Sequence, residues 1–337
     1  MDNGVTGWGE ALNVECAPAI LQLAGHLVNQ TVEQAAIRLL SICRRWTRLK
    51  FKRRVAKISA AGALDMALWD ALGKNSRLPV ADLLGTSRSK SVEVYASGLY
   101  YDAKSNLRDA ADEAASYLTQ GFGSIKMKSG GASIAADAHR IRSVRDAVGA
   151  NIKLMADANG AYSLDTASKI GQVLSIGRFS WFEEPVRGVT PHKHAALRKS
   201  CGIAIAAGER WHVAKFETFL RKRAIDVVQP NIGNIGGFRR AKYVIRKAVK
   251  SHVQVALHSW GTPIALAAAV NLAAAMNGEN TILVEFDCSS NPLRDVVQGK
   301  IVTPYNGVIR CPNFPGLGIV VDQSRLLHFC VAAARVP

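Results

Sequence analysis

From residue 92 onward, short apolar runs alternate with longer amphipathic stretches. The runs are VEVYAS (92–97), SIKMK (124–128), IKLMAD (152–157), FSWFEE (179–184), IAIAAGE (203–209), IDVVQPN (225–231), VQVALH (253–258) and TILVEF (281–286). Their β-branched and aromatic content predicts buried strands. Between them, stretches such as DTASKIGQVLSIG and FRRAKYVIRKAVKSH carry apolar residues at helical spacing. Alternating strand and helix predicts parallel strands joined by crossovers. Eight strands at a pitch of about 22–32 residues fit a closed α/β barrel better than an open doubly wound sheet.

The first part of the chain reads differently. MDNGVTGWGEAL is turn-rich and then strand-like, helical patterns follow at about 17–46 and 51–73, and NSRLPVADLLG closes the block with Pro79 and Gly85. PIALAAAVNLAAAM (263–276) reads as a buried helix, interrupted by Asn271. The Gly- and Pro-rich tail, GKIVTPYNGVIRCPNFPGLGIVVD, is expected to return to the N-terminal block. A chain of 337 residues suits one barrel with an appendage.

The polar residues that interrupt the strands lie at their C-terminal ends: Lys128, Asp157, Glu183, Glu209, Asn231, His258 and Glu285. In such barrels that rim builds the active site. Asp157, Glu183 and Glu209 end three successive strands. Three converging carboxylates repel unless a cation lies among them, and oxygen ligands favour a hard ion such as Mg²⁺. The bland alternative is that each acid caps a helix or pairs with an arginine.

Lys126 and Lys128 are two apart on a strand, so they share a face. With a metal they form a pocket for a carboxylate. One lysine assists the metal in binding it, and the other removes the α-proton, giving an enediolate that positive charge stabilises. The cation and the neighbouring lysine are expected to lower the base's pKa. His258 is a second base, or the acid that protonates a leaving hydroxyl. Glu285, if protonated, donates to the substrate carboxylate. PNIGNIGGF (230–238) does not complete a phosphate-loop pattern and reads as a tight turn, and PHKH (191–194) as a surface segment.

Charge changes the picture little. Lys and Arg outnumber Asp and Glu 43 to 26, a net +17. The densest basic stretch, RRWTRLKFKRRVAK (44–57), runs into an amphipathic pattern and reads as a solvated helix face; no second nucleic-acid signature accompanies it. The six cysteines are scattered without a CxxC, which suggests reduced thiols and a cytoplasmic protein. No leader pattern or apolar run of membrane-spanning length is present.

Together these residues resemble the mandelate racemase branch of the enolase superfamily, part of the mandelate racemase/muconate lactonizing enzyme family. TGWGEA, ALDMALWDALGK and LPVADLLG are similar to its capping domain; IKMK, MADANGAYS, WFEEP, AGERW, LHSWGT and PGLG follow in the family's order. The resemblance implies a modified TIM barrel of (β/α)7β type with an α+β cap. It divides the chain into a capping domain at 1–88, a barrel at 89–298 and a segment returning to the cap at 299–337. It implies that Asp157, Glu183 and Glu209 hold one Mg²⁺. By the same resemblance Lys126 contacts the substrate carboxylate, Lys128 is one base, His258 the other base or the acid, and Glu285 binds substrate. It also suggests a homo-oligomer.

Two departures stand out. Asn231 occupies the place of the aspartate that the family pairs with its histidine, which weakens His258 as a base. The start also lacks the family's first cap strand and covering loop, which suggests a late start or an open site. The leading expectation is therefore dehydration of an acid sugar. The alternatives are a mandelate-type racemase or epimerase, an impaired anion-binding barrel, and a basic nucleic-acid-binding protein.

Overall fold

The computed structural model describes residues 4–11, 13–46, 51–85, 89, 91–101, 107–188, 190–276, 281–299, 303–311 and 313–336. Eight parallel strands close on themselves: β1 (Ser91–Gly98), β2 (Ser124–Lys128), β3 (Lys153–Asp157), β4 (Phe179–Glu183), β5 (Ile205–Ala207), β6 (Val227–Val228), β7 (Gln254–Leu257) and β8 (Leu283–Asp287). Closure comes from β1, which pairs with β2 on one side and β8 on the other. Each of the eight apolar runs in the sequence overlaps one of these strands.

Helices α5 (Leu107–Thr119), α6 (Ile134–Val148), α7 (Leu164–Ile176), α8 (Pro191–Cys201), α9 (Val213–Arg221), α11 (Phe238–Lys250) and α12 (Pro263–Met276) connect successive strands; a short α10 (Ile232–Ile235) precedes α11. β8 is followed instead by a 3₁₀ turn, Pro292–Val296, so the barrel is of the (β/α)7β kind. Several of these helices begin on a polar cap just past a strand end. Ser133, Ser163, Thr190 and Asn231 each accept the N–H three residues on, satisfying a donor that the helix cannot.

Alternation along the strands sorts the side chains. Tyr95, Met155, Trp181, Ala206, Val227, Ala256 and Leu283 fill the barrel interior. The opposite faces, including Ile125, Met127, Leu154, Ala156 and Val284, pack beneath the helices. Continuing the inward register toward the C-terminal ends brings up Lys126, Lys128, Asp157 and Glu183.

The N-terminal block is helical among the described residues: α1 (Ala17–Gly25), α2 (Val32–Trp46), α3 (Phe51–Ser76) and α4 (Val80–Leu84). Two expectations change here. The strand-like reading of residues 4–11 is not met, because that segment docks as an irregular strip along α3, with Trp8 N–H donating to Asp70 at 2.8 Å. The helical pattern at 17–46 breaks over residues 26–31, where Asn29 takes a left-handed φ of 61°. PHKH is not a surface segment throughout: it opens α8, and His194 is buried against Ala224 O and the ring of Phe219. The basic run 44–57 lies partly outside the described residues, and within it Lys57 stands over the Trp46 ring. No helix among the described residues is long and apolar enough to cross a membrane.

Buried acids fasten this block to the barrel. Asp65 on α3 accepts the Phe238 N–H at 2.7 Å, capping α11. Gly237, with φ of 105°, has no room for a Cβ, which would stand 2.2 Å from the Asp65 carboxylate. Glu10 accepts from Thr262 N at 2.9 Å, Thr262 Oγ1 at 2.6 Å and Ala265 N at 3.1 Å, holding the loop between β7 and α12. Asp70 accepts Leu317 N at 2.8 Å, and Gly316 bonds Leu78 and Val80, which brings the tail onto the same block. β10 (Val308–Arg310) adds antiparallel to β1, while β9 (Val297–Gln298) and β11 (Val320–Val321) pair with each other.

Candidate active site

β2 and β3 run in register, so Lys128 stands beside Asp157 and Lys126 beside Met155; β3 and β4 pair Asp157 with Glu183. The result is a buried cluster at the C-terminal rim. Lys126 lies 2.9 Å from Glu183, 2.8 Å from Glu285 and 3.9 Å from Asp157. Lys128 contacts Asp157 at 2.5 Å and the Asn159 side-chain oxygen at 2.8 Å. His258 Nε2 lies 3.0 Å from Glu209 and 3.7 Å from Glu285. Gln229 Nε2 donates to Glu183 at 2.6 Å. All eight residues singled out in the sequence therefore meet in one network, with Asn231 joining through His258. Asn159 and Gln229 join it too. Neither interrupts an apolar strand as a charged residue would, so the pattern that exposed the others passed over them.

The electrostatics follow from burial and pairing. Burial opposes the charge on Lys126, but Glu183 and Glu285 outweigh it and hold the ammonium well above its usual pKa. Burial also favours neutral Lys128, yet Asp157 prevails and raises it. Lys126 pulls it down, as expected, but among the protein's own groups the nearer carboxylate is stronger. Glu285, raised by burial, is brought down to about 2 by Lys126 and His258. It is a charged acceptor here and not the protonated donor expected from the sequence. Burial and the adjacent Asp157 push Glu183 up to about 7. Glu209 is raised by burial but held at about 2 by His258. Burial lowers His258, and Glu285 and Glu209 together bring it up to about 9.

The orientation of Asn231 decides where the imidazole carries hydrogen. Its Oδ1 accepts the Asn234 N–H at 3.0 Å as the cap of α10, so its Nδ2 faces His258 Nδ1, also at 3.0 Å. An amide NH₂ beside Nδ1 makes that nitrogen an acceptor, and the neutral ring then carries its hydrogen on Nε2. A charged ring has hydrogen on Nε2 as well. In either state His258 presents an N–H to the site. PNIGNIGGF thus forms a short helix that sets this amide, beyond the tight turn expected of it.

The three strand-end acids offer an all-oxygen donor set, and the mutual repulsion that raises Glu183 is what a hard divalent ion relieves. Their donor chemistry fits Mg²⁺. As they stand, no three His, Cys, Asp or Glu side chains among the described residues are grouped to enclose an ion; Lys126, Lys128 and His258 take up their oxygens instead. A separate cavity of 410 Å³ lies beside the cluster, between the loop after β7 and the segment after β8, with Thr262, Asp287 and Arg294 in its wall.

A (β/α)7β barrel with acids and lysines gathered at its C-terminal rim is the plan of an enzyme whose chemistry sits at the strand ends. The chain belongs to the mandelate racemase/muconate lactonizing enzyme family of the enolase superfamily. Residues 1–85 match the mandelate racemase/muconate lactonizing enzyme N-terminal domain, and residues 109–325 match the enolase C-terminal domain-like family. A D-galactarolactone cycloisomerase of Agrobacterium fabrum is 32% identical over 97% of this chain and 89% of its own. An arabinonate dehydratase of Saccharolobus solfataricus is 30% identical over 95% of this chain and 86% of its own. The crystal structure of a 3,6-anhydro-D-galactonate cycloisomerase from Zobellia galactanivorans superposes with a TM-score of 0.89. It is 32% identical and covers 98% of this chain and 92% of that one. Members of the superfamily generally use Mg²⁺.

Proposed function

We propose that this protein abstracts the α-proton of a sugar acid and eliminates the β-hydroxyl as water. Asp157, Glu183 and Glu209 would hold one Mg²⁺, which would supply positive charge beside the substrate carboxylate and so make the α-hydrogen more acidic. Lys126, buried and firmly ammonium, supports that carboxylate. Lys128 in its neutral form takes the α-proton as the C–H bond breaks. His258, in its protonated form, gives its Nε2 proton to the β-oxygen as the C–O bond breaks, leaving a neutral ring and water, and the enol product tautomerises to a 2-keto-3-deoxy acid. Asn231 and Glu285 orient the imidazole from either side. The chain then divides into a cap at 1–88, a barrel at 89–298 and a returning segment at 299–337.

The observation that carries this reading is the Asn231–His258 contact. Elimination needs one base and one acid: Asn231 gives the imidazolium no charge to lean on, so the protonated ring yields its Nε2 proton readily and the neutral ring takes one back poorly. Racemisation needs bases on both faces and is disfavoured for the same reason. The cycloisomerase relatives suggest a second reading: the same two steps on a substrate whose leaving oxygen stays tethered, so that a ring opens and no water departs.

The test is proton NMR of acid-sugar mixtures incubated with the protein and Mg²⁺ in D₂O. A 2-keto-3-deoxy product is expected. Deuterium at Cα with an intact carbon skeleton and no keto acid would overturn the proposal in favour of racemisation.

A further inference from the structure

Two arginines stand at the mouth of the site with little to bind. Arg210, directly after Glu209, reaches its Nε to within 3.1 Å of that carboxylate and is 57% exposed. Its terminal nitrogens meet no other carboxylate among the described residues. Arg187, in the loop after β4, is exposed and contacts only the Asn159 carbonyl oxygen, at 3.4 Å, among the described residues. Asn159 in turn holds Lys128. Each guanidinium is therefore one residue removed from a group that would do the chemistry. They sit on adjacent loops, because β4 and β5 are neighbours in the barrel.

Other charges nearby are already engaged. Arg294 is bound to Asp287 at 3.1 Å, and Lys215 stands over the Trp211 ring at 4.3 Å. Inside, Lys126 and Lys128 are committed to buried carboxylates. A second anionic group on the substrate would find no cation in the inner cluster and two at its rim. An exposed Arg–Glu contact is weak, whereas a guanidinium offered a carboxylate binds it through paired N–H donors.

We infer that Arg187 and Arg210 bind a second carboxylate, so that the substrate is a sugar diacid and not a sugar monoacid. The inference rests on the elimination reading and narrows its substrate class. The relatives do not decide it, since one is named for the lactone of a diacid and another for a monoacid.

The experiment compares galactarate with galactonate, and glucarate with gluconate. Within each pair, the ends opposite C1 differ in carrying a carboxylate or a hydroxymethyl group. The wild type is expected to favour the diacid at least about tenfold in kcat/KM in one pair or both, a preference of the size that one pocket contact supplies. The Arg187→Gln/Arg210→Gln double variant should bring that ratio near unity, mainly through KM. Equal or reversed preference in the wild type overturns the inference while leaving elimination intact, and so does a preference that survives in the double variant. If neither acid turns over, calorimetric binding of the same pairs in Mg²⁺ decides: tighter diacid binding that the double variant loses upholds the arginine site without the elimination. Equal binding, or none, overturns it.

Discussion

Asn231 points its amide nitrogen at His258 Nδ1, 3.0 Å away, because its oxygen is already taken by the backbone of Asn234. A hydrogen bond made for a helix cap thereby fixes the tautomer of a residue on the next strand. Asn231→Asp keeps the cap but presents an acceptor to Nδ1, which moves the neutral ring's hydrogen to that nitrogen and frees Nε2 as a base. Keto-acid formation should fall at least tenfold relative to deuterium exchange at Cα, and both are read from one NMR time course. An unchanged ratio would show that the amide does not set the proton.

Lys128 must lose a proton before it can act, and Asp157 holds that proton against the effect of burial. The rate is expected to rise with pH on the alkaline side. Lys128→Met should lower kcat by about 10²–10⁴, the usual weight of a general base, with little change in melting temperature. A variant that keeps its activity would remove Lys128 from the mechanism.

Glu183 lies 2.9 Å from Lys126 and is pushed up by Asp157 beside it. Calorimetry should find one Mg²⁺ per chain in the wild type and at least tenfold weaker binding in Glu183→Gln, with chelation abolishing keto-acid formation reversibly. Full activity after exhaustive chelation would be the contrary result.

Asp65 carries a pH dependence of stability that is separate from catalysis. Burial outweighs its hydrogen bond from Phe238 and raises its pKa from 3.8 to about 7. A raised carboxyl pKa gives stability that is whole below the unfolded value and is lost as pH rises through the folded one. Between pH 5 and pH 8 the loss is about 2–3 kcal/mol at roughly 1.4 kcal/mol per pH unit. Asp65→Asn, which still accepts from Phe238, should flatten this slope in urea titrations at the two pH values.

The periodicity of the chain determined the barrel. Eight apolar runs, seven of them ending on a polar residue of the rim, specify both parallel strands and the rim on which their last residues sit. Alternation along SIKMK was enough to place Lys126 and Lys128 on one inward face, because side-chain direction in a strand is a local property. Tertiary structure alone decided what those side chains meet. Asp157 outweighs Lys126 in setting Lys128, Glu285 is charged and not protonated, and Asn231 turns its nitrogen to the histidine. Glu10, in a segment that reads as a strand, is instead a clamp on Thr262, 252 positions away. Such contacts join residues far apart in sequence, and their signs depend on distances of a few ångströms between side chains, a scale on which residue spacing carries no information.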